Sequence, residues 1–275
     1  MSLIPRLRRA GKGSQLVCHP GGPGFSSAYL GDLGGLGDAF QLLLVDPRGT
    51  GETPAPADGS YSIDDYVDDL EALRRSLGLG PLDLLGHSHG GVVAMAYAAR
   101  YPDFVRRLVV ANSLARFGEE AQQAMADGIA ARAGEPWAAD AQAAIAEEEA
   151  GAYSTSEELA ALVKREFPLY FARYGERERA WVEGMQEEPL NVDALKQFNA
   201  DILGTFDLRP ELAKINAPTV VLTGADDFIT GPVCANEIAA GIEDAKLVIL
   251  ENCGHMSFVE QPNRFHAAVQ TLLYS

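Results

Sequence analysis

Chemistry in this chain centres on one serine. Ser88 stands in Gly86-His87-Ser88-His89-Gly90-Gly91, between a short apolar run (Leu82, Leu84, Leu85) and an Ala-rich segment from Val92 to Arg100. A serine on a sharp strand-to-helix turn sits in strained backbone, and Gly86, Gly90 and Gly91 leave room around it. Such a turn lifts the hydroxyl above a sheet, and the unpaired N–H groups of the following helix face developing negative charge. The same motif alone would also describe a glycine-rich turn with an incidental serine, so its partners decide.

A hydroxyl is a poor nucleophile near neutral pH and needs a base, which in turn needs a carboxylate to hold its tautomer. Of the five histidines, His19 and His87 flank glycine loops, His89 follows the serine, and His266 falls inside the last helix. His255, in Cys253-Gly254-His255-Met256 just past a strand, is the best-placed base. Asp226 and Asp227, in Gly224-Ala225-Asp226-Asp227-Phe228, both stand at the end of the preceding strand and both could supply the acid. The strand after the Ser88 helix ends in Asn112-Ser113, with no carboxylate. An oxyanion would be held by the backbone N–H groups of Gly22, in Gly21-Gly22-Pro23-Gly24, and of His89. Metal ligation is not expected, because no His-x-x-x-His pair or Cys-x-x-Cys pair occurs. No phosphate-binding glycine motif occurs either, and no cofactor is expected.

The elements that must position these groups alternate in type. Apolar runs at 15–18, 41–45, 82–85, 105–111, 218–223 and 245–250 read as strands, and helices are expected at 63–77, 92–100, 231–240 and 262–273. Ser62 should cap the first helix, with Asp64 and Asp65 in its opening turn. Asp46 and Arg48 are expected to pair and brace the loops around the site. Strands alternating with helices imply a mostly parallel sheet covered on both faces. From 117 to 207 the strand-like runs vanish. Helix breakers at Gly134-Glu135-Pro136, Gly151, Pro168, Gly175 and Pro189 cut that stretch into short helices. The expected organisation is therefore a core at 1–116 and 208–275, with a helical cap inserted at 117–207 over the sheet's carboxyl edge.

The 275 residues suffice for one large α/β domain, and the formal charge of −17 argues against nucleic acid or an anionic membrane as partner. Between Gly118 and Arg209 there are 19 acidic and 8 basic residues, so the inserted segment carries most of that charge. Cys18, Cys234 and Cys253 are odd in number and far apart, which fits reduced thiols. With no apolar stretch of membrane-span length after Arg6-Leu7-Arg8-Arg9, a cytoplasmic location is expected.

These motifs make the chain resemble the α/β-hydrolase superfamily over its full length. It is most similar to the proline iminopeptidase branch, which removes N-terminal residues from peptides. The matching segments are Gly21-Gly22-Pro23-Gly24, Asp46-Pro47-Arg48-Gly49-Thr50-Gly51, the Ser88 motif, Gly224-Ala225-Asp226-Asp227-Phe228-Ile229 and Cys253-Gly254-His255-Met256. The resemblance implies an α/β-hydrolase fold and a Ser88–His255–Asp227 triad, selecting Asp227 over Asp226. It also implies that cap glutamates hold the substrate's free amine. Ala180-Trp181-Val182-Glu183-Gly184 resembles the cap segment that carries one of them, which makes Glu183 the candidate, with Glu187 and Glu188 as further possibilities. Three features depart from the branch. Pro20 replaces the His that usually precedes Gly-Gly, His89 replaces a Trp after the nucleophile, and the N-terminus is short enough to lack one early antiparallel strand. The expected activity is release of an N-terminal residue from a short peptide. A carboxylesterase on the same scaffold is the alternative, followed by a slow-turnover ligand sensor, because fold does not fix substrate.

Overall fold

A computed structural model describes residues 2–185 and 188–271. Seven strands form one sheet: β1 (Arg6–Gly11), β2 (Ser14–His19), β3 (Phe40–Asp46), β4 (Leu82–His87), β5 (Val105–Ala111), β6 (Thr219–Gly224) and β7 (Ala245–Leu250). Their order is β1-β3-β2-β4-β5-β6-β7. β1 runs antiparallel to β3, and every other pairing is parallel. The Arg6–Gly11 segment shows no apolar alternation, and its half-exposed edge position explains why. An edge strand rich in arginine is also poorly suited to pairing with a second molecule.

The helices are α1 (Ile63–Ser76), α2 (His89–Arg100), α3 (Glu119–Ala131), α4 (Ala138–Glu149), α5 (Ser156–Glu166), α6 (Glu176–Glu183), α7 (Val192–Gln197), α8 (Arg209–Leu212), α9 (Pro232–Gly241), α10 (Ser257–Glu260) and α11 (Pro262–Gln270). The expected end of the last helix, at 271–273, lies partly outside the described residues. The Ser62 hydroxyl accepts from the Asp65 amide and starts α1, as its position suggests.

Every residue of β4 and β6 is buried, the pattern of central parallel strands covered on both faces. Alternate side chains divide between two cores. Val17, Leu43, Leu84 and Val110 face α1, α2 and α9, whereas Leu16, Leu42, Leu85 and Val109 face the opposite side. That second core continues through Phe258 of α10 and Phe265 of α11 into Leu159 and Val163 of α5 and on to Phe171. The helices between β5 and β6 thus share a core with the sheet. They are also bonded to its loops: the Asn191 amide donates to the Gly24 carbonyl and the His255 amide to the Tyr170 carbonyl, 2.9 and 2.7 Å.

Asp46 and Arg48 do not pair with each other. The buried Arg48 guanidinium forks onto Asp69, both contacts 2.8 Å, with Asp65 at 3.3 Å. Asp46 instead pairs with Arg8 of β1 and accepts from the Ser27 amide and hydroxyl, at 3.0 and 2.7 Å. Two residues apart around a turn, the side chains diverge: one braces α1 and the other the loop after β2. Sequence proximity was no guide to either partner.

Candidate active site

Ser88 follows β4 and precedes the first residue of α2, with φ 56° and ψ −125°. A non-glycine residue in that region is strained and persists only where its surroundings hold it. Here the Ser88 amide donates to the Ala111 carbonyl at 3.0 Å, and the Ser88 carbonyl accepts from the Ser113 hydroxyl and the Gly91 amide, both 2.8 Å. The glycines are required by close approach. A Cβ on Gly86 would lie 2.2 Å from the Gly90 carbonyl oxygen, and one on Gly90 the same distance from that of His19.

His255 follows β7 and Asp227 follows β6. The His255 Nδ1 lies 2.9 Å from Asp227 Oδ2, so the carboxylate fixes the proton on Nδ1 and leaves Nε2 as the acceptor. Asp227 is buried, whereas Asp226 is exposed and its amide bonds the Cys253 carbonyl. Only Asp227 reaches the imidazole. Burial opposes its ionisation. The facing imidazole, the Asn112 amide group and the Thr230 backbone outweigh that and hold the carboxyl well below the usual range. Oδ2 accepts from Asn112 Nδ2 (2.9 Å) and the Thr230 hydroxyl (2.8 Å), and Oδ1 from the amides of Ile229 and Thr230. Asn112 also donates to the Gly254 carbonyl and accepts from the Ser257 hydroxyl, tying the β5 end to the His255 loop. Neither Asn112 nor Thr230 was identified from the sequence. The lack of a carboxylate at the β5 end was the available signal, since that position holds an amide aimed at Asp227.

Tyr29 and His87 join the glycine loop to the histidine loop. The Gly21 amide donates to Tyr29 Oη at 2.6 Å, and Tyr29 Oη lies 2.8 Å from His87 Nδ1. His87 Nε2 faces the His255 carbonyl at 3.1 Å, which can only accept. His87 Nε2 therefore carries the proton, and the Tyr29 hydroxyl donates to Nδ1. Burial pulls the His87 pKa down to about 3, so the ring stays neutral. His89 is likewise pushed down to about 3 by burial. The Gly21 amide is occupied by Tyr29, while Gly22 and the first helical residue, His89, both line the cavity at Ser88.

That cavity, about 370 Å³, lies between the sheet's carboxyl edge and helices α3, α4, α5 and α7. Ser88, His255 and Thr230 line its floor, and Ile145, Glu148, Glu166 and Leu195 its upper walls. Glu166 is 2% exposed. Burial and the neighbouring Glu148 raise its pKa to about 8, and burial raises that of Glu148 as well. Glu166 Oε1 and His89 Nε2 are buried without a hydrogen-bond partner, and both residues face this cavity.

Glu183 is exposed at the end of α6 and lines a groove of about 740 Å³ that adjoins the Ser88 cavity through Phe25, Tyr29, Val163 and Phe167 but does not include Ser88. Glu188 pairs with Arg8 at 2.7 Å, and Glu187 lies outside the described residues. His19 and His266 bond the carbonyls of Pro20 and Leu33 and line no part of the Ser88 cavity. All three cysteines are buried and unbridged. Among the described residues no cluster of three or more His, Cys, Asp or Glu side chains is placed to hold a metal ion. No helix among them is long and apolar enough to cross a membrane.

Known proteins share this layout. A proline iminopeptidase from Saccharolobus solfataricus is 28% identical, the alignment covering 97% of this chain and 86% of that protein. An enol-lactonase structure from Burkholderia xenovorans superposes with a TM-score of 0.73 at 25% identity, covering 98% and 96% of the two chains. A hydrolase structure from Bacillus anthracis gives 0.77 at 21% identity, covering 96% and 93%. The family described as the alpha/beta hydrolase fold matches residues 15–262. With a Ser-bearing turn, an Asp and a His at the ends of β4, β6 and β7 of a mostly parallel sheet, this chain belongs to the alpha/beta hydrolase fold family.

Proposed function

We propose that the protein is a serine hydrolase that works through an acyl-enzyme and releases an N-terminal residue bearing a free amine. His255 Nε2 takes the proton from the Ser88 hydroxyl as its oxygen attacks the substrate carbonyl. Asp227 stabilises the resulting imidazolium. The amides of Gly22 and His89 hold the oxyanion, each worth about 3 kcal/mol. The imidazolium then protonates the leaving amine as the carbonyl–nitrogen bond breaks, and water repeats the sequence to free the acid.

The observation that carries the amine preference is Glu166, buried in the same cavity as Ser88 with one carboxyl oxygen unpartnered. A buried, half-satisfied carboxyl is costly unless a ligand completes it. The match to proline iminopeptidases over nearly the whole chain agrees with this reading. Glu148 and Glu166 would take the amine role that the sequence resemblance placed on Glu183. An esterase acting on an apolar acyl group is the second reading, favoured by Val92, Leu114, Ile145 and Phe198 in the remaining wall.

A substrate panel separates the two. Prolyl-, alanyl- and leucyl-p-nitroanilide should be cleaved, their N-acetylated forms should not, and p-nitrophenyl acetate should be a poor substrate. Turnover of esters alone, indifferent to a free amine, would end the aminopeptidase reading. Glu166→Gln should raise KM for amine-bearing substrates while leaving p-nitrophenyl acetate nearly unchanged.

A further inference from the structure

Glu148 near the end of α4 and Glu166 at the end of α5 face the same cavity, where α4 packs against α5. Two ionised carboxylates repel and only accept, so a proton on one relieves the repulsion and lets the pair hydrogen-bond. Their other neighbours do not neutralise the pair. Asn199, a neutral amide, lines the cavity with Glu148, and Glu149 adds like charge to both carboxyls. The Arg165 charge acts on Glu166, but its guanidinium is turned to Asp140 and Glu147 at the surface. The phenols of Tyr153 and Tyr170 have their ionisation suppressed by burial and by this pair. Lys196 stacks over the Tyr153 ring at 5.0 Å. Among the described residues lining the cavity there is no lysine or arginine.

We infer that the Glu148–Glu166 pair holds one shared proton in the empty enzyme, and that the ammonium group of a substrate displaces it, so that binding releases a proton to solvent. The inference rests on the amine reading given above. An ammonium offers three donors, enough to reach the unpartnered Glu166 Oε1 and an oxygen of Glu148 together. Its charge stabilises both ionised carboxylates, and the bridging proton leaves. One cation enters as one departs, so the net charge of the apolar chamber does not change.

The test is calorimetric titration of L-prolinamide into the Ser88→Ala variant near neutral pH, in phosphate and in Tris. The dependence of observed enthalpy on buffer ionisation enthalpy gives the protons exchanged. About one proton should be released per amide bound. With Glu166→Gln added, release should vanish and binding should weaken by roughly tenfold or more, the loss of a charged partner. Binding without proton release, or release that persists in the Glu166→Gln variant, overturns the inference and leaves the amine site standing. No binding at millimolar amide overturns the amine reading and the inference with it.

Discussion

Asn112 places a neutral donor 2.9 Å from Asp227 Oδ2, and reversing that donor tests the network behind the proposed base. Asn112→Asp keeps the shape and the acceptor for Ser257, and it tolerates the backbone φ of 49°. It also sets a second carboxyl where the amide nitrogen stood. Two full charges 2.9 Å apart repel by about 6 kcal/mol at an effective dielectric of about 20. That equals roughly four pKa units and keeps a proton on the introduced carboxyl to about pH 8. Protonated, it donates to Asp227 much as the amide did; ionised, it destabilises the carboxylate that orients His255. The variant's kcat/KM relative to wild type should stay within about tenfold near pH 6 and fall at least a further ~10-fold above pH 8. Asn112→Ala leaves Asp227, the Gly254 carbonyl and the Ser257 hydroxyl each one partner short. Its activity should drop ~10- to 100-fold at every pH, with a stability loss of about 3 kcal/mol. Steady-state kinetics from pH 5.5 to 9 provide the assay. A flat ratio for Asn112→Asp, or full activity for Asn112→Ala, would refute the reasoning.

Other perturbations report on separate parts of the site. Gly21→Ala would set a methyl 2.7 Å from Ser88 Cβ; kcat should fall at least ~100-fold while circular dichroism stays native, and wild-type turnover would contradict the packing. Tyr29→Phe removes the acceptor of the Gly21 amide and the donor to His87. It should lower kcat about tenfold with KM little changed, whereas a pure KM effect would point to a substrate contact instead. Glu166 has a folded pKa near 8 against about 4.3 when unfolded. Between those values the native state holds a proton that the unfolded state has lost, so stability falls as pH rises through that window. Urea midpoints at pH 5.5 and 8.5 should show a smaller drop for Glu166→Gln than for wild type; equal drops would place the titration elsewhere.

Much of this layout was legible because it is local. Glycines spaced around Ser88 and ahead of His255 mark turns that only small residues allow, and apolar runs mark the strands: 108–111 of β5 is fully buried, and 245–250 forms the half-buried edge strand β7. What the sequence could not supply were contacts made by distant segments. Asn112 and Thr230 matter because β5, β6 and β7 end side by side, bringing together positions 115 residues apart for Asn112 and Asp227. Arg48 chose Asp69 over Asp46 because α1 packs across its turn. The cap glutamates are the clearest case. Among 19 acidic residues from Gly118 to Arg209, composition and helical spacing are alike for buried Glu166 and exposed Glu183. Only the packing of α4 against α5 separates them.

The central claim concerns the Ser88 oxygen as the nucleophile, and covalent trapping tests it most directly. Wild-type enzyme treated with a fluorophosphonate, digested and mapped by mass spectrometry should carry one adduct, on Ser88, formed at least ~1000-fold faster than in His255→Ala. Labelling of another residue, or equal rates with and without the imidazole, would contradict the account.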